Sequence, residues 1–204
     1  MLFDDTYKTI DHPAEGVFKD KGSKFIAFAY PIINESEVKP ILLKLRAEHT
    51  KANHFCYAYR LSPDKGVYRV NDDGEPSGTA GRPILNVLLS AGLTNILIVV
   101  VRYFGGTLLG VPGLINAYKS AAAEAVETAA VVEKTVKDLY EITFDYLVMN
   151  DVMRLIKEEQ LNIITQHFDN DCSITFEVRK SHLNRVLERI EKQSAITLKY
   201  VGTI

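Results

Sequence analysis

Cysteine is scarce in this sequence, which has only Cys56 and Cys172 among its 204 residues. The two stand far apart and form no Cys-x-x-Cys pair, which argues against a disulfide framework and is typical of a reducing compartment. Long apolar runs are also lacking, because a run such as Ile96–Val101 is far shorter than the roughly 20 residues of a membrane-spanning helix. Residues 1–11 are mixed and acidic, without the apolar core of a signal peptide. These absences predict a cytoplasmic protein.

An excess of charge of one sign is missing as well. The formal net charge is −2, and neither residues 1–136 nor residues 137–204 carry a strong surplus of either sign. A contact with nucleic acid would therefore depend on a local patch rather than on the field of a whole domain. The hydrophobic fraction of 47% is enough for a substantial core. The length favours two modest domains.

Strand and helix patterns alternate through the first two thirds of the chain. The apolar run Asn95–Val101 predicts a central strand covered on both faces. A short helix is predicted from Pro83, and a longer one with alanines along one face follows Gly113. Further strands are predicted at Ser23–Ile33, Phe55–Leu61 and Val67–Val70, and a helix over residues 38–45.

The last 68 residues have a more regular order of strands and helices. Alternation predicts strands at Tyr140–Phe144, Leu161–His167 and Ser173–Val178, and Asp169-Asn170-Asp171 is a hairpin turn signal. With the two intervening helical patterns the order is β-α-β-β-α-β, that of a ferredoxin-like split unit. We therefore predict an α+β protein with a first domain over residues 1–134 and a ferredoxin-like domain over residues 135–204.

Asp72–Gly81 interrupts every periodic pattern and contains three carboxylates, two hydroxyls and three glycines. Its functional interpretation is a rigid loop whose amides and hydroxyls bind an anion or the backbone of a partner. Thr79 is a candidate cap for the following helix. The alternatives are a structural turn with solvated acids, or carboxylates that bind Mg²⁺ beside a phosphate.

Arg102–Gly113 lies between the apolar strand and the long helix, a position that favours ligand sites and anions. It is not a phosphate loop of the Walker type, because Val111-Pro112 replaces the required Lys-Ser/Thr pair, and no Gly-x-Gly-x-x-Gly occurs. Arg102 has two interpretations. Its guanidinium group either binds a phosphate or carboxylate of a ligand, or forms a salt bridge with Asp72, Asp73 or Glu75.

Catalytic patterns are sparse. The five histidines form no His-Glu-x-x-His motif, and Ser77 lacks the Gly-x-Ser-x-Gly context of an esterase nucleophile. His54 and Cys56 share one face of a strand, either as a catalytic pair or as core neighbours. No cofactor or metal is predicted.

Basic and aromatic side chains near these strands are one candidate patch for single-stranded RNA. The alternative is that the strand tyrosines serve packing alone. The side chains concerned are Arg60, Arg69, Arg82 and Arg102 with Tyr57, Tyr59 and Tyr103.

Two long blocks resemble the signature of the IMPACT/YigZ family: DDGEPSGTAGRPIL (Asp72–Leu85) and VVVRYFGGTLLGVPGLINAY (Val99–Tyr118). Ser23–Ala27 and His54–Arg60 match upstream blocks, so the resemblance covers about residues 15–125. It departs from the family at Val111-Pro112-Gly113, where Gly-Gly often follows a variable residue. The resemblance implies a ribosomal-protein-like βαβ fold, as in the penultimate domain of elongation factor G, and a C-terminal domain like the last domain of that factor.

The resemblance also implies association with the ribosome, RNA or a translation-related protein, since eukaryotic relatives are linked to starvation control of translation. We therefore expect a regulatory binding protein with a glycine-rich surface. The alternatives are a hydrolase or other enzyme acting on a small phosphorylated or peptide substrate, and a protein-binding adaptor. The oligomeric state stays open. The candidate binding residues are Asp72, Asp73, Gly74, Glu75, Ser77, Gly78, Thr79, Gly81, Arg82, Arg102, Tyr103, Gly105, Gly106, Gly110, Gly113 and His54.

Overall fold

The computed structural model describes residues 5–169, 171–193 and 195–204. The chain divides into a first unit, Tyr7–Lys134, and a second unit that joins Thr135–Ile204 to Asp5 and Thr6. The predicted domain boundary instead assigns the N-terminal residues to the first domain. Asp5 lies with the second unit because its carboxylate accepts hydrogen bonds from Nε and Nη2 of Arg179 at 2.7 and 2.9 Å. The guanidinium holds the pKa of Asp5 well below its usual range.

A five-stranded antiparallel sheet forms the centre of the first unit. Its strand order is β2 (Ala14–Asp20), β3 (Ser23–Pro31), β6 (Ile96–Tyr103), β4 (His54–Leu61) and β5 (Val67–Asn71). Because β3 and β4 both run antiparallel to β6, they are parallel to each other, with helix α1 (Val38–Glu48) in the connection between them. A two-strand sheet pairs β1 (Thr6–Ile10) with β7 (Val131–Thr135).

Helices cover both faces of this sheet. Apolar side chains of α1 pack on one face, while α2 (Gly81–Ala91) and α3 (Gly110–Thr128) pack on the other. As predicted for a central strand, every residue of Ile96–Val101 is fully buried. The alanine face of α3 lies directly on β2, where a Cβ on Gly16 would come within 2.3 Å of the Ala125 nitrogen. The small alanine side chains of this helix therefore let it pack closely against the sheet.

The second unit has the predicted order of strands and helices around its own core. Its elements are β8 (Lys137–Phe144), α4 (Met149–Glu158), β9 (Asn162–Phe168), β10 (Cys172–Arg179), α5 (Leu183–Glu191) and β11 (Ile196–Thr203). They form an antiparallel sheet of order β11-β8-β10-β9. The predicted turn at residues 169–171 includes Asn170, which lies outside the described residues. The whole is a mixed α+β fold, as expected.

The helices are short or carry polar side chains along much of their length. No helix within the described residues is both long and apolar enough to cross a membrane.

Candidate functional site

The Asp72 carboxylate holds the first of the two glycine-rich segments, Asp72–Gly81 and Arg102–Gly113, against the start of α2. It accepts hydrogen bonds from the backbone nitrogens of Gly78, Ala80 and Gly81 at 2.9, 3.1 and 2.8 Å. A carboxylate at this place satisfies amides that the first turn of a helix leaves unpaired. The prediction that Thr79 caps the helix is wrong, since its hydroxyl donates to the Pro76 carbonyl at 2.7 Å.

Asp73 anchors the same loop to its neighbours. Its Oδ1 accepts from Arg46 Nη2 at 2.8 Å and its Oδ2 from the Phe55 backbone nitrogen at 2.7 Å. The Asp73 carbonyl lies 2.8 Å from Nδ1 of His54. Because a carbonyl can only accept, Nδ1 of His54 donates this bond, and Nε2 is the nitrogen left for other partners. The loop is thus held in shape by its own acids.

Glu75 and Arg102 join the two glycine-rich segments through a buried ion pair. Arg102 Nη1 donates to Glu75 Oε1 at 2.5 Å, and the Tyr118 hydroxyl donates to the same oxygen at 2.7 Å. The side chains of Glu75 and Arg102 are only 3% and 6% exposed. His54 Nε2 lies 3.9 Å from that oxygen. Of the two interpretations of Arg102, the structure therefore shows an ion pair, with Glu75 as the acid.

A cavity of about 480 Å³ opens above this ion pair. The two segments line it together with the start of β4, and its floor is polar whereas its walls are apolar. Leu108, at the rim, is 82% exposed, and Phe104 and Val111 are exposed beside it. These apolar side chains are not among the binding residues predicted from the sequence. Their position between the glycines of Arg102–Gly113 is a signal that could have identified them. The lining residues are Asn53, His54, Glu75, Pro76, Arg102, Phe104, Leu108, Leu109, Gly110, Val111 and Leu114.

Four predicted site residues therefore line the cavity: His54, Glu75, Arg102 and Gly110. Tyr103 does not, because side chains alternate along a strand and its hydroxyl bonds to Nδ1 of His49 at 2.7 Å, on the side of α1. Ser77 and Arg82 are exposed outside the cavity lining, as are three of the glycines: Gly74, Gly78 and Gly106. Gly81, Gly105 and Gly113 lie where the chain passes close to other atoms.

The predicted basic and aromatic patch is not brought together. Along β4, His54 is opposite Arg102 of β6 whereas Arg60 is opposite Ile96, so Arg60 and Arg102 lie at opposite ends of the sheet. Arg69 pairs instead with Glu35 at 3.0 Å, and Tyr59 is buried. The alternative of packing describes these strand side chains better.

Cys56 is a core residue and not an activated nucleophile. Its thiol lies 3.0 Å from the Asp72 carbonyl and 3.3 Å from the Tyr118 hydroxyl, and the residue is fully buried. Burial raises the pKa of the thiol well above its usual range, the opposite of what a reactive cysteine requires. The described residues also contain no group of three or more His, Cys, Asp or Glu side chains placed to hold a metal ion.

This burial leads to a direct expectation for thiol chemistry. In a Cys172→Ser variant, whose remaining thiol is Cys56, Ellman's reagent at pH 8 should react at least about a hundredfold more slowly with the native protein than with protein in guanidinium chloride. The matched Cys56→Ser variant reports Cys172, which is buried too. Fast labelling of native Cys56 would contradict its placement in the core.

Both glycine-rich segments and the cavity lie within the part of the chain that matches a known family. The family described as the Impact N-terminal domain matches residues 21–126, which contain all of these features. The chain belongs to the IMPACT family. It is 31% identical to the IMPACT family member YvyE of Bacillus subtilis over 183 residues, covering 90% of this chain and 84% of that one.

Two further comparisons extend over most of the chain. Identity to the family member YigZ of Escherichia coli is 33% over 158 residues, covering 76% of this chain and 78% of that one. A crystal structure of a hypothetical protein superposes with a TM-score of 0.74 at 27% identity, covering 97% of this chain and 98% of that one. The likeness therefore includes both units.

Proposed function

We propose that this chain is a regulatory binding protein associated with translation, and that it contacts its partner through the surface formed by Asp72–Gly81 and Arg102–Gly113. Membership of the IMPACT family supports this role, since eukaryotic relatives are linked to starvation control of translation. The proposal includes two domains, residues 1–134 and 135–204. The first is assigned a ribosomal-protein-like βαβ fold, as the family resemblance implies. The second is assigned a ferredoxin-like fold from the order of its elements and strands.

The observation that carries the proposal is that this surface is preformed. Asp72, Asp73 and Glu75 all have their carboxylates in bonds within the chain, so the loop keeps its shape without a partner. A preformed surface loses little conformational freedom on binding, which favours recognition. What it presents outward is a group of exposed apolar side chains, Phe104, Leu108 and Val111, here named the apolar rim.

The apolar rim favours a protein of the translation machinery over RNA as the direct contact. Binding of RNA depends on cations that neutralise phosphates, but Arg102 is buried against Glu75 and Arg69 is paired with Glu35. Clustered exposed apolar side chains instead mark protein contacts. Binding to the ribosome through one of its proteins, or to a translation factor, fits this surface.

Cosedimentation with purified bacterial ribosomes tests the proposal. We expect a Leu108→Asp, Val111→Asp variant to bind at least about tenfold more weakly, because two carboxylates replace apolar contacts. Leu147→Asp is the matched control, since Leu147 is 89% exposed and lies in the second unit.

Parallel filter binding of RNA over a series of salt concentrations reports any direct contact with phosphates. Unchanged cosedimentation of the double variant would overturn the proposed surface. Tight RNA binding that falls steeply with salt would replace the protein partner by RNA.

One arrangement favours the alternative of an enzyme acting on a small phosphorylated or peptide substrate. His54 Nε2 lies 3.9 Å from the Glu75 carboxylate, and both residues line the cavity, as an acid–base pair of an enzyme would. Turnover of a phosphate ester or peptide that disappears in His54→Gln would favour this alternative over binding alone.

A further inference from the structure

Arg102 lines the cavity, and one edge of its guanidinium group has an unsatisfied, buried hydrogen-bond donor. Its Nε is the one buried side-chain nitrogen or oxygen, among the described residues, that has no hydrogen-bond partner. Only Nη1 is engaged, with Glu75 Oε1. A buried donor without a partner costs stability, so its persistence needs a reason. A ligand that accepts from this edge is such a reason.

In Arg179 the corresponding edge, formed by Nε and Nη2, is occupied by a carboxylate. Arg179 uses Nε and Nη2 together to hold both carboxylate oxygens of Asp5, at 2.7 and 2.9 Å. This two-point geometry is the one that guanidinium groups form with carboxylates. In Arg102 neither Nε nor Nη2 bonds to a described residue. The rings of Phe25 and Phe104, with centroids 5.4 and 5.6 Å from the guanidinium carbon, contact the group and help to hold its orientation.

The start of α3 adds a second attraction for an anion. Gly110 and Val111 line the cavity at the first turn of this 19-residue helix. The N-cap residue, Leu109, has no side chain that can accept from the free amides, and the first turn contains no acid. The positive end of the helix dipole therefore faces the cavity without a carboxylate of its own.

The cavity walls specify what accompanies the anion. Leu108, Leu109 and Leu114 make them apolar, and the volume of about 480 Å³ falls in the range of about 300–1,000 Å³ typical of small-ligand sites. Glu75 is the one acid among the lining residues, and Arg102 compensates its charge. A hydrated anion such as free phosphate would leave the apolar walls unused.

We propose that this cavity binds the carboxylate of an apolar chain-terminal residue, with the carboxylate on the Nε–Nη2 edge of Arg102 and the apolar side chain against Leu108 and Leu114. The inference rests on the proposed function in naming the chemistry that the partner presents, a free apolar chain end. A free acid and a peptide terminus share this chemistry, and separate probes distinguish them.

The inference is tested by adding N-acetylleucine to the full chain and following the N–H signals by NMR. Saturable shifts are expected for the Arg102 Nε–H and for the amides of Gly110 and Val111. N-acetylleucinamide, which has the same shape without the charge, is expected to bind at least about tenfold more weakly. Acetyl-Gly-Gly-Leu should bind at least as tightly as N-acetylleucine if a peptide terminus is the natural ligand; tighter binding of the single amino acid would assign a free acid instead.

Arg102→Lys keeps a positive charge beside Glu75 but lacks the two-point edge, and it should weaken N-acetylleucine binding at least about tenfold. Leu147→Asp should bind as the parent does. Equal affinity for the acid and its amide in the unchanged chain would overturn the inference, whether or not the lysine variant folds. So would equal or tighter binding of inorganic phosphate.

The two proposals fail separately. Loss of ribosome binding in the Leu108→Asp, Val111→Asp variant, together with no N-acetylleucine binding by the unchanged chain, would overturn only the carboxylate site. Binding of N-acetylleucine by a chain that does not cosediment with ribosomes would overturn only the role in translation.

Discussion

Replacing Arg102 with methionine is expected to lower the free energy of unfolding of the first unit by about 3–5 kcal/mol. The substitution leaves the Glu75 carboxylate, whose side chain is 3% exposed, without the cation that compensates its charge. The Tyr118 hydroxyl at 2.7 Å would remain as a donor, but a neutral group stabilises a buried carboxylate less than a guanidinium does. Denaturation in guanidinium chloride, followed by circular dichroism because the chain has no tryptophan, measures the change.

Two controls separate this ion pair from a general effect of losing arginine. Arg69→Met removes an exposed pair with Glu35 and should leave the free energy of unfolding almost unchanged, because solvent screens that pair. Combining Arg102→Met with Glu75→Gln removes both buried charges and should recover part of the stability lost in the single variant. If Arg102→Met unfolds within about 1 kcal/mol of the parent, Glu75 is not a buried charge that depends on Arg102.

Sequence alone could place Arg102 near an acid but could not choose the acid. Asp72, Asp73 and Glu75 follow one another within four positions, and each is equally able to pair with an arginine. The choice depends on the path of the loop, which directs Asp72 to the amides at the start of α2 and Asp73 to the Phe55 amide. Only Glu75 then points to Arg102. Long-range backbone bonds of this kind leave no local pattern in a sequence.

The elements that sequence predicted well are those whose burial follows a regular period. The apolar run Ile96–Val101 and the alanine face of α3 both match their burial in the structure. The arginine and tyrosine patch failed because it depends on strand register. Proximity in the sequence does not say that Arg60 is opposite Ile96, at the far end of the sheet from Arg102.

The inclusion of Tyr103 among the candidate residues conflicts with strand geometry. Arg102 and Tyr103 are consecutive residues of a strand, so their side chains point to opposite faces of the sheet. Arg102 lines the cavity on the side of α2 and α3, while Tyr103 packs on the side of α1. Both cannot belong to the same surface. The alternation of side chains along a strand is therefore sufficient to remove Tyr103 from the candidate site.

Replacing Gly105 with alanine is expected to destabilise the first unit by at least about 3 kcal/mol. A Cβ at this position would lie 2.0 Å from the Gly22 carbonyl carbon and 2.2 Å from the Ser23 nitrogen. Both are backbone atoms, so a side-chain rotation cannot relieve the overlap. The β2–β3 turn would have to move away from the end of β6, and the bond from the Gly105 nitrogen to the Ser23 hydroxyl at 3.1 Å would be lost.

The neighbouring glycine supplies a matched control for the same loop. Gly106 has a φ of +84°, but no atom lies within 4 Å of the position of its Cβ. Gly106→Ala should therefore cost only the strain of a left-handed backbone, roughly 1–2 kcal/mol. Chemical denaturation of both variants gives the comparison, and similar losses for the two would contradict the close approach at Gly105. If the difference is as large as expected, N-acetylleucine binding should also weaken in Gly105→Ala, because the displaced strand end carries Arg102 and Phe104 at the cavity.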